Sequence, residues 1–153
     1  MAKVVVVGSK LKPITLENHM GNEISLPCCH GKKILLSFHP LAWTGICTKQ
    51  MELLDSLYDN FEASGIVSFG ISVDAAPSKK AWADSMGLKK LQLLCDFWPH
   101  GALADSLDLF DSTAGISARA NVIIDESGGV AFLKEYPIAE LPDFNELFSF
   151  LKK

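Results

Sequence analysis

Short apolar segments alternate with helical segments along most of this 153-residue chain, and that order restricts the folds that it can form. Two short strands predicted at 14–16 and 23–26 form a hairpin-like entry around the turn residues between them. The chain ends with a predicted hairpin and a terminal helix. The full predicted order after the entry is strand 33–39, helix 47–64, strand 66–73, helix 77–86, strand 91–95, a helical stretch over 99–110, the hairpin of 118–125 and 130–136, and helix 142–151.

The order βαβ followed by ββα predicts an α/β protein with a thioredoxin-like fold. In that fold a central mixed β-sheet is flanked by helices, and here the N-terminal hairpin and an inserted strand and helix are added to it. A flavodoxin-like parallel sheet is the competing arrangement, but it does not need the late hairpin. The chain has the length of one domain, which we expect to span residues 1–153.

The charge of the chain limits its partners. Its 14 basic and 18 acidic residues give a net charge of −4, which argues against binding to nucleic acid or to an anionic membrane. No apolar stretch approaches the roughly 20 residues that span a bilayer, so we expect a cytoplasmic protein. Among the basic residues Arg119 is the only arginine. Either this single arginine occurs by chance, or its position requires a planar group that is always charged.

The four cysteines Cys28, Cys29, Cys47 and Cys95 show no C-x-x-C spacing. The pattern therefore excludes a zinc ribbon and a thioredoxin-type dithiol. In a reducing compartment we expect free thiols rather than a disulfide framework. Because Cys28 and Cys29 precede the strand at 33–39, they are predicted to lie at the end opposite Cys47, roughly 20 Å away at about 3.3 Å per residue.

Cys47 lies between the first core strand and the first long helix, at the helix N-terminus. The unpaired N–H groups and the dipole of a first helical turn stabilise a thiolate there. The helical spacing of Cys47, Met51 and Leu54 turns the sulfur toward the protein body. Thr44, three residues earlier, is positioned to place its hydroxyl beside the sulfur. The alternative is a buried structural thiol, a common role for free cysteine.

The sequence Pro40-x-x-x-Thr44-x-x-Cys47 resembles the peroxidatic signature of the peroxiredoxins, which are thiol peroxidases with a thioredoxin fold. Arg119, at the start of a predicted strand, resembles their second catalytic signature. The segment 93–101, with the sequence LLCDFWPHG, is most similar to the one-cysteine, alkyl hydroperoxide reductase E type. The likeness extends over most of the chain.

The resemblance implies a reaction in which the Cys47 thiolate attacks a hydroperoxide and becomes a sulfenic acid. Thr44, the N–H groups of the first helical turn and Arg119 are the implied donors to the leaving oxygen, and Pro40 is the fourth site residue. No cofactor or metal is implied. The implied partners are a hydroperoxide substrate, an external thiol or thioredoxin-like reductant and a second copy of the chain in a homodimer. The alternative is a redox sensor or scaffold of the same fold without turnover.

The chain departs from the family pattern at three positions. Gly45 stands where much of the wider family has proline, and Gln50 replaces a glutamate that pairs with arginines, so we expect weaker or different positioning of Arg119. Cys95 stands where the E type has serine. It is the best internal candidate for a resolving cysteine, but a core role for it and one-cysteine chemistry are our prediction.

Some other prominent residues have simpler interpretations. His39 is predicted to pack rather than to act as a base. The aromatic residues Trp43, Phe97 and Trp98 are predicted to line the rim of the pocket or to form a subunit contact. The pair Lys79-Lys80 is predicted to lie on a solvent-exposed face.

Overall fold

The computed structural model describes residues 7–28 and 31–152, which form a β-sheet covered by helices on both faces. The strands are β1 (Ile14–Asn18), β2 (Glu23–Leu26), β3 (Lys33–Phe38), β4 (Ile66–Ser72), β5 (Gln92–Cys95), β6 (Phe110–Asp111), β7 (Ile116–Ser117), β8 (Arg119–Ile124) and β9 (Val130–Tyr136). The helices are α1 (Gly45–Ser56), α2 (Tyr58–Ala63), α3 (Ala76–Met86), α4 (Ala102–Ser106) and α5 (Asn145–Leu151).

The main sheet has seven strands in the order β2-β1-β5-β4-β3-β8-β9, and β6 pairs with β7 in a separate ribbon. The three central strands β3, β4 and β5 are parallel. Strand β8 runs antiparallel to β3, β9 pairs antiparallel with β8, and the β1–β2 hairpin joins the other edge through β5. This mixed sheet confirms the predicted thioredoxin-like class and excludes the all-parallel alternative.

Two predicted helices differ from the structure. The helix expected over 47–64 is divided at Leu57, whose φ of −96° and ψ of 0° end α1 before α2 begins. The helical stretch expected over 99–110 contains only the five residues of α4. Asp108 follows with a φ of 59°, a left-handed conformation that a right-handed helix cannot include, and β6 begins two residues later.

The alternating side chains of the sheet divide the core between its two faces. Ile34 and Leu36 of β3 pack on the side of α4, whereas Leu35 packs on the opposite side, against α1 and α3. Cys47 and Met51 of α1 belong to this second cluster. The helix therefore turns Cys47 toward the sheet, as its spacing predicts. Of the helices in the described part of the chain, none has the length and apolar character needed to cross a bilayer.

Gly70 in β4 determines how closely α1 approaches the sheet. A Cβ atom at this position would overlap Met51 Sδ and would lie 2.9 Å from Leu93 Cδ2. Because Met51 is fully buried, we expect Gly70→Ala to lower the free energy of unfolding by about 1–3 kcal/mol. Urea denaturation measures this change. Gly45→Ala is the control, since its added Cβ meets no atom within 4 Å; equal stability of the two variants would contradict the prediction.

Candidate active site

Cys47 is the third residue of α1, directly after the loop that leaves β3. Thr44 is the N-cap residue, with φ −89° and ψ 158°, but its side chain makes no capping hydrogen bond. Instead, Thr44 Oγ1 donates to the Leu41 carbonyl oxygen at 2.8 Å. The Thr44 proton is therefore donated to Leu41 and not to the sulfur. Cys47 is 1% exposed, so its sulfur lies under the protein surface at the positive end of the helix dipole.

The buried guanidinium of Arg119, at the start of β8, contacts the sulfur. Its Nη1 donates to Cys47 Sγ at 3.4 Å and to Gln50 Oε1 at 2.7 Å. Its Nε and Nη2 both donate to the Ile138 carbonyl oxygen, at 3.2 and 2.8 Å. These partners, drawn from the described residues, are neutral or a thiol, and none is a carboxylate. A thiolate at Cys47 would therefore neutralise the buried positive charge of Arg119, which none of its other described partners neutralises.

The side-chain oxygen of Gln50 accepts a hydrogen bond from Arg119, and its side-chain nitrogen donates to residues of β3. Gln50 Nε2 donates to Ser37 Oγ at 2.9 Å and to the Phe38 carbonyl oxygen at 3.1 Å. Ser37 Oγ in turn donates to Asn121 Oδ1 at 2.8 Å. These bonds determine which end of the amide faces the guanidinium. The positioning of Arg119 is thus different from a glutamate pair, as the sequence predicts, but it is well defined.

A cavity of about 360 Å³ opens over the sulfur. Pro40, Thr44, Cys47 and Arg119 all line it, so the structure brings together the four residues that the sequence motif predicts. The rest of the lining is largely apolar and is formed by Leu41, Gly45, Ile46, Ile116 and Ile138. Ile116 opens the segment 116–120 that resembles the second catalytic signature, but sequence reasoning assigned it no role in the site. Ile138 was missed because it comes from the segment after β9, where no local motif marks it.

Comparison with known proteins shows the family of this chain. Residues 7–133 match the AhpC/TSA family. The chain belongs to that family. It is 35% identical over 138 residues to alkyl hydroperoxide reductase E of Mycobacterium tuberculosis, covering 90% of each chain. It is 29% identical to a peroxiredoxin of Thermococcus kodakarensis, covering 97% of this chain and 71% of the relative.

Solved structures agree on the fold of this AhpC/TSA protein. The structure of Enterococcus faecalis AhpC matches with a TM-score of 0.89 at 21% identity and covers 97% of this chain and 92% of its own. A reduced 2-Cys peroxiredoxin of Plasmodium vivax matches with a TM-score of 0.88 at 24% identity, with coverage of 97% and 81%. The predicted resemblance to peroxiredoxins of the E type is confirmed. The chain is a thiol-dependent peroxidase, with cysteine-based chemistry.

The second thiol of this peroxiredoxin, Cys95, lies apart from the first. Cys95 ends β5 and is in register with Ser72 of β4, so β4 separates it from β3 and the loop that carries Cys47. It borders a different cavity, of about 220 Å³, which Phe97 and Trp98 also line. Burial raises the pKa of the Cys95 thiol to about 11, so it remains protonated near neutral pH.

The structure agrees only in part with the expectation that the four cysteines are free thiols. Cys47 and Cys95 are free thiols, as predicted. Cys28, which follows β2, is disulfide-bonded, so the expectation of a free thiol is wrong for it. Cys29 lies outside the described residues.

Three large aromatic side chains are exposed near the carboxyl ends of the central strands. Trp43, Phe97 and Trp98 have exposed fractions of 54%, 48% and 78%. Trp43 has a φ of 73°, and its Nε1 donates to Ser78 Oγ at 3.1 Å. None of the three is among the described residues that line the Cys47 cavity, so the alternative of a pocket rim does not hold for that cavity.

A buried pair of basic residues lies at the same end of the sheet. His39, directly after β3, is fully buried, and its Nε2 is 2.9 Å from Lys79 Nζ. Burial and the charge of Lys79 hold the pKa of His39 well below its usual 6.5, so His39 is neutral and packs, as the sequence predicts. The prediction that Lys79 is solvent-exposed is wrong: α3 turns Lys79 and Trp82, three residues apart, toward the sheet.

Proposed function

We propose that this peroxiredoxin reduces hydrogen peroxide and organic hydroperoxides at Cys47, with Arg119, Thr44 and Pro40 completing the active site. The observation that carries the proposal is the 3.4 Å contact between Arg119 Nη1 and Cys47 Sγ at the base of an open cavity. A buried guanidinium on a thiol stabilises the thiolate, which is the nucleophilic form.

In the proposed reaction the thiolate of Cys47 attacks the distal oxygen of the hydroperoxide. The S–O bond forms as the O–O bond breaks, and the distal oxygen stays on the sulfur with its hydrogen as a sulfenic acid. The leaving oxygen takes a proton from solvent and departs as water or an alcohol. Arg119 and the first-turn N–H groups of α1 donate to the oxygens as charge moves onto them. Thr44 Oγ1, whose proton bonds Leu41, accepts the hydrogen bond of the hydroperoxide. Pro40 lines the cavity beside Cys47, and its ring fixes the backbone where the chain leaves β3.

The lining of the cavity supports organic hydroperoxides as substrates alongside hydrogen peroxide. Leu41, Ile46, Ile116 and Ile138 present apolar surface to a ligand whose peroxide group lies at Cys47. A relative of this chain carries the name alkyl hydroperoxide reductase E. We therefore infer that an alkyl group contacts these side chains while the peroxide contacts the polar base of the site.

The experiment that decides the proposal adds one equivalent of hydrogen peroxide to the reduced protein. We expect intact and peptide mass spectrometry to locate one added oxygen on Cys47, or a thiol adduct when a small thiol is present. Repeated consumption of peroxide with added thiol then distinguishes an enzyme from a redox sensor. Oxidation of Cys95 with Cys47 left as a thiol would contradict the proposal.

We also infer that an external thiol or thioredoxin-like protein recycles the sulfenic acid. Cys95 is a poor nucleophile near neutral pH because burial raises the pKa of its thiol to about 11. A disulfide needs Cα atoms within about 7 Å, and two strand spacings of roughly 4.8 Å exceed that reach. This recycling fits a thiol-rich cytoplasm, the location that we propose.

We expect Cys95→Ser to consume peroxide as fast as the wild type when an external thiol is the reductant. The physical reason is that Cys95 is a core residue in a separate cavity and serine has nearly its size. Steady-state assays measure the rate, and non-reducing peptide mapping after one equivalent of peroxide shows the products. A dominant Cys47–Cys95 disulfide in the wild type would refute one-cysteine chemistry.

We propose that residues 1–153 form one domain and that two copies form a homodimer. The single main sheet draws its strands from Ile14 to Tyr136, which supports one domain. The exposed Trp43, Phe97 and Trp98 support a subunit contact, because aromatic residues are enriched at such interfaces. Analytical ultracentrifugation of the wild type and Trp98→Ala tests the dimer.

A further inference from the structure

Lys79 is a fully buried lysine whose ammonium group lies at the carboxyl end of the parallel strands. Its Nζ donates to His39 Nε2 at 2.9 Å and to Ser72 Oγ at 2.6 Å. The indole ring of Trp82 is 5.6 Å from Nζ. A charged lysine is almost never fully buried unless it is paired, so the burial of Lys79 indicates that this residue has a specific role. The reaction proposed for Cys47 does not use it.

The hydrogen bonds of Lys79 continue to the loop that carries the peroxidatic motif. Ser72 Oγ accepts from Lys79 and donates to Asp74 Oδ2 at 2.6 Å. The same Asp74 oxygen accepts the backbone N–H of Ala42 at 2.8 Å. Ala42 lies midway between Pro40 and Thr44, so a charge-assisted chain links the buried ammonium to the loop.

Among the described residues, the titratable groups that interact with Lys79 come from five segments. They are His19 after β1, His39 after β3, Asp74 after β4, Cys95 in β5 and Cys47 in α1. Burial lowers the pKa of Lys79 to about 8, against the attraction of Cys95, Asp74 and Cys47. Because His39 is neutral and Cys95 stays a thiol near neutral pH, Asp74 and Cys47 are the acidic groups left to interact with this cation.

We propose that Lys79 is a positioning residue for the Cys47 reaction: it holds the 40–44 loop through Ser72 and Asp74 and places a second buried cation near the thiolate. This inference rests on the assignment of Cys47 in the proposed function. Lys79 touches neither the sulfur nor the substrate cavity among the described contacts, so it acts through the loop and through its charge.

The test is the pH profile of the second-order rate constant for Cys47 oxidation by hydrogen peroxide, followed by stopped flow. A lysine loses its charge as the pH rises through its pKa, so in the wild type the rate constant should fall as the pH passes about 8. Lys79→Met should lower the rate constant near pH 7 by about five- to tenfold and abolish the alkaline fall. Ser72→Ala breaks the chain but keeps the cation, so it should lower the rate and retain the fall.

Lys80→Met is the matched control. Lys80 is the next residue of α3, but it is exposed and pairs with Asp84 at 2.7 Å. We expect its rate constant and pH profile to equal those of the wild type.

A Lys79→Met variant with the wild-type rate constant and pH profile would make Lys79 merely structural and overturn the proposal. If Lys79→Met does not fold, as judged by circular dichroism, the wild-type profile decides: a rate constant that does not fall above pH 8 overturns the proposal. Peptide mapping of the wild type separates this failure from failure of the proposed function, because the latter would show a cysteine other than Cys47 oxidised.

Discussion

Replacing Cys47 with serine is expected to abolish thiol-dependent peroxide consumption while the fold stays intact. The two side chains are nearly the same size, and Cys47 lies in a well-packed cluster with Met51 and Leu54. The hydroxyl of serine is not ionised at the pH where a thiolate reacts, so the nucleophile is lost. Peroxide consumption with an external thiol measures the effect, and circular dichroism and urea denaturation check the fold.

Cys95→Ser is the control for this experiment, since it removes the other free thiol in the described part of the chain and is expected to keep full activity. Peroxide turnover in Cys47→Ser above the level of the reductant alone would contradict the assignment of Cys47. Loss of turnover in both variants would instead indicate that Cys95 takes part in the cycle.

Arg119→Lys is expected to lower the rate constant of Cys47 oxidation by more than tenfold, which corresponds to about 1.4 kcal/mol. One guanidinium contacts Cys47 Sγ, Gln50 Oε1 and the Ile138 carbonyl oxygen at once. A lysine ammonium is a compact point charge on a flexible stem and cannot span the three partners in that plane. Stopped-flow measurement of sulfur oxidation by hydrogen peroxide gives the rate constant directly.

Lys33→Arg exchanges the same two residue types at an exposed ion pair with Glu126, 3.0 Å long, and should leave the rate constant unchanged. An Arg119→Lys variant that reacts at the wild-type rate would mean that the charge at this position suffices. The geometry of the guanidinium would then serve the fold alone.

Local patterns in the sequence predicted much of the fold and the placement of Cys47. The apolar run 33–39 and the helical spacing of Cys47, Met51 and Leu54 predicted β3, α1 and the inward orientation of the sulfur. The boundaries were less well predicted, since α1 begins at Gly45 and ends before Leu57. A helix end depends on the backbone angles of single residues, which periodicity does not report.

Local sequence patterns did not predict the contacts between segments that are far apart in the chain. The Gln50 amide is oriented by Ser37 and Asn121, and Lys79 is buried although its neighbour Lys80 is exposed. Charge and spacing in the sequence predicted a solvated pair of lysines. Burial of one of them follows from how α3 docks on the sheet beside His39, which no pattern within α3 specifies.

The sequence by itself determined the α/β class, the position of Cys47 at the start of a helix and the presence of one arginine as candidate partner. These depend on interactions within a few residues of the chain, such as helix periodicity and the unpaired N–H groups of a first turn. Only the tertiary structure decided that Arg119 meets the sulfur, that Cys95 lies in a separate cavity and that Lys79 is linked to the loop. Those contacts depend on strand register and helix docking, which sum weak interactions over the whole chain and place residues far apart in sequence within a few ångströms.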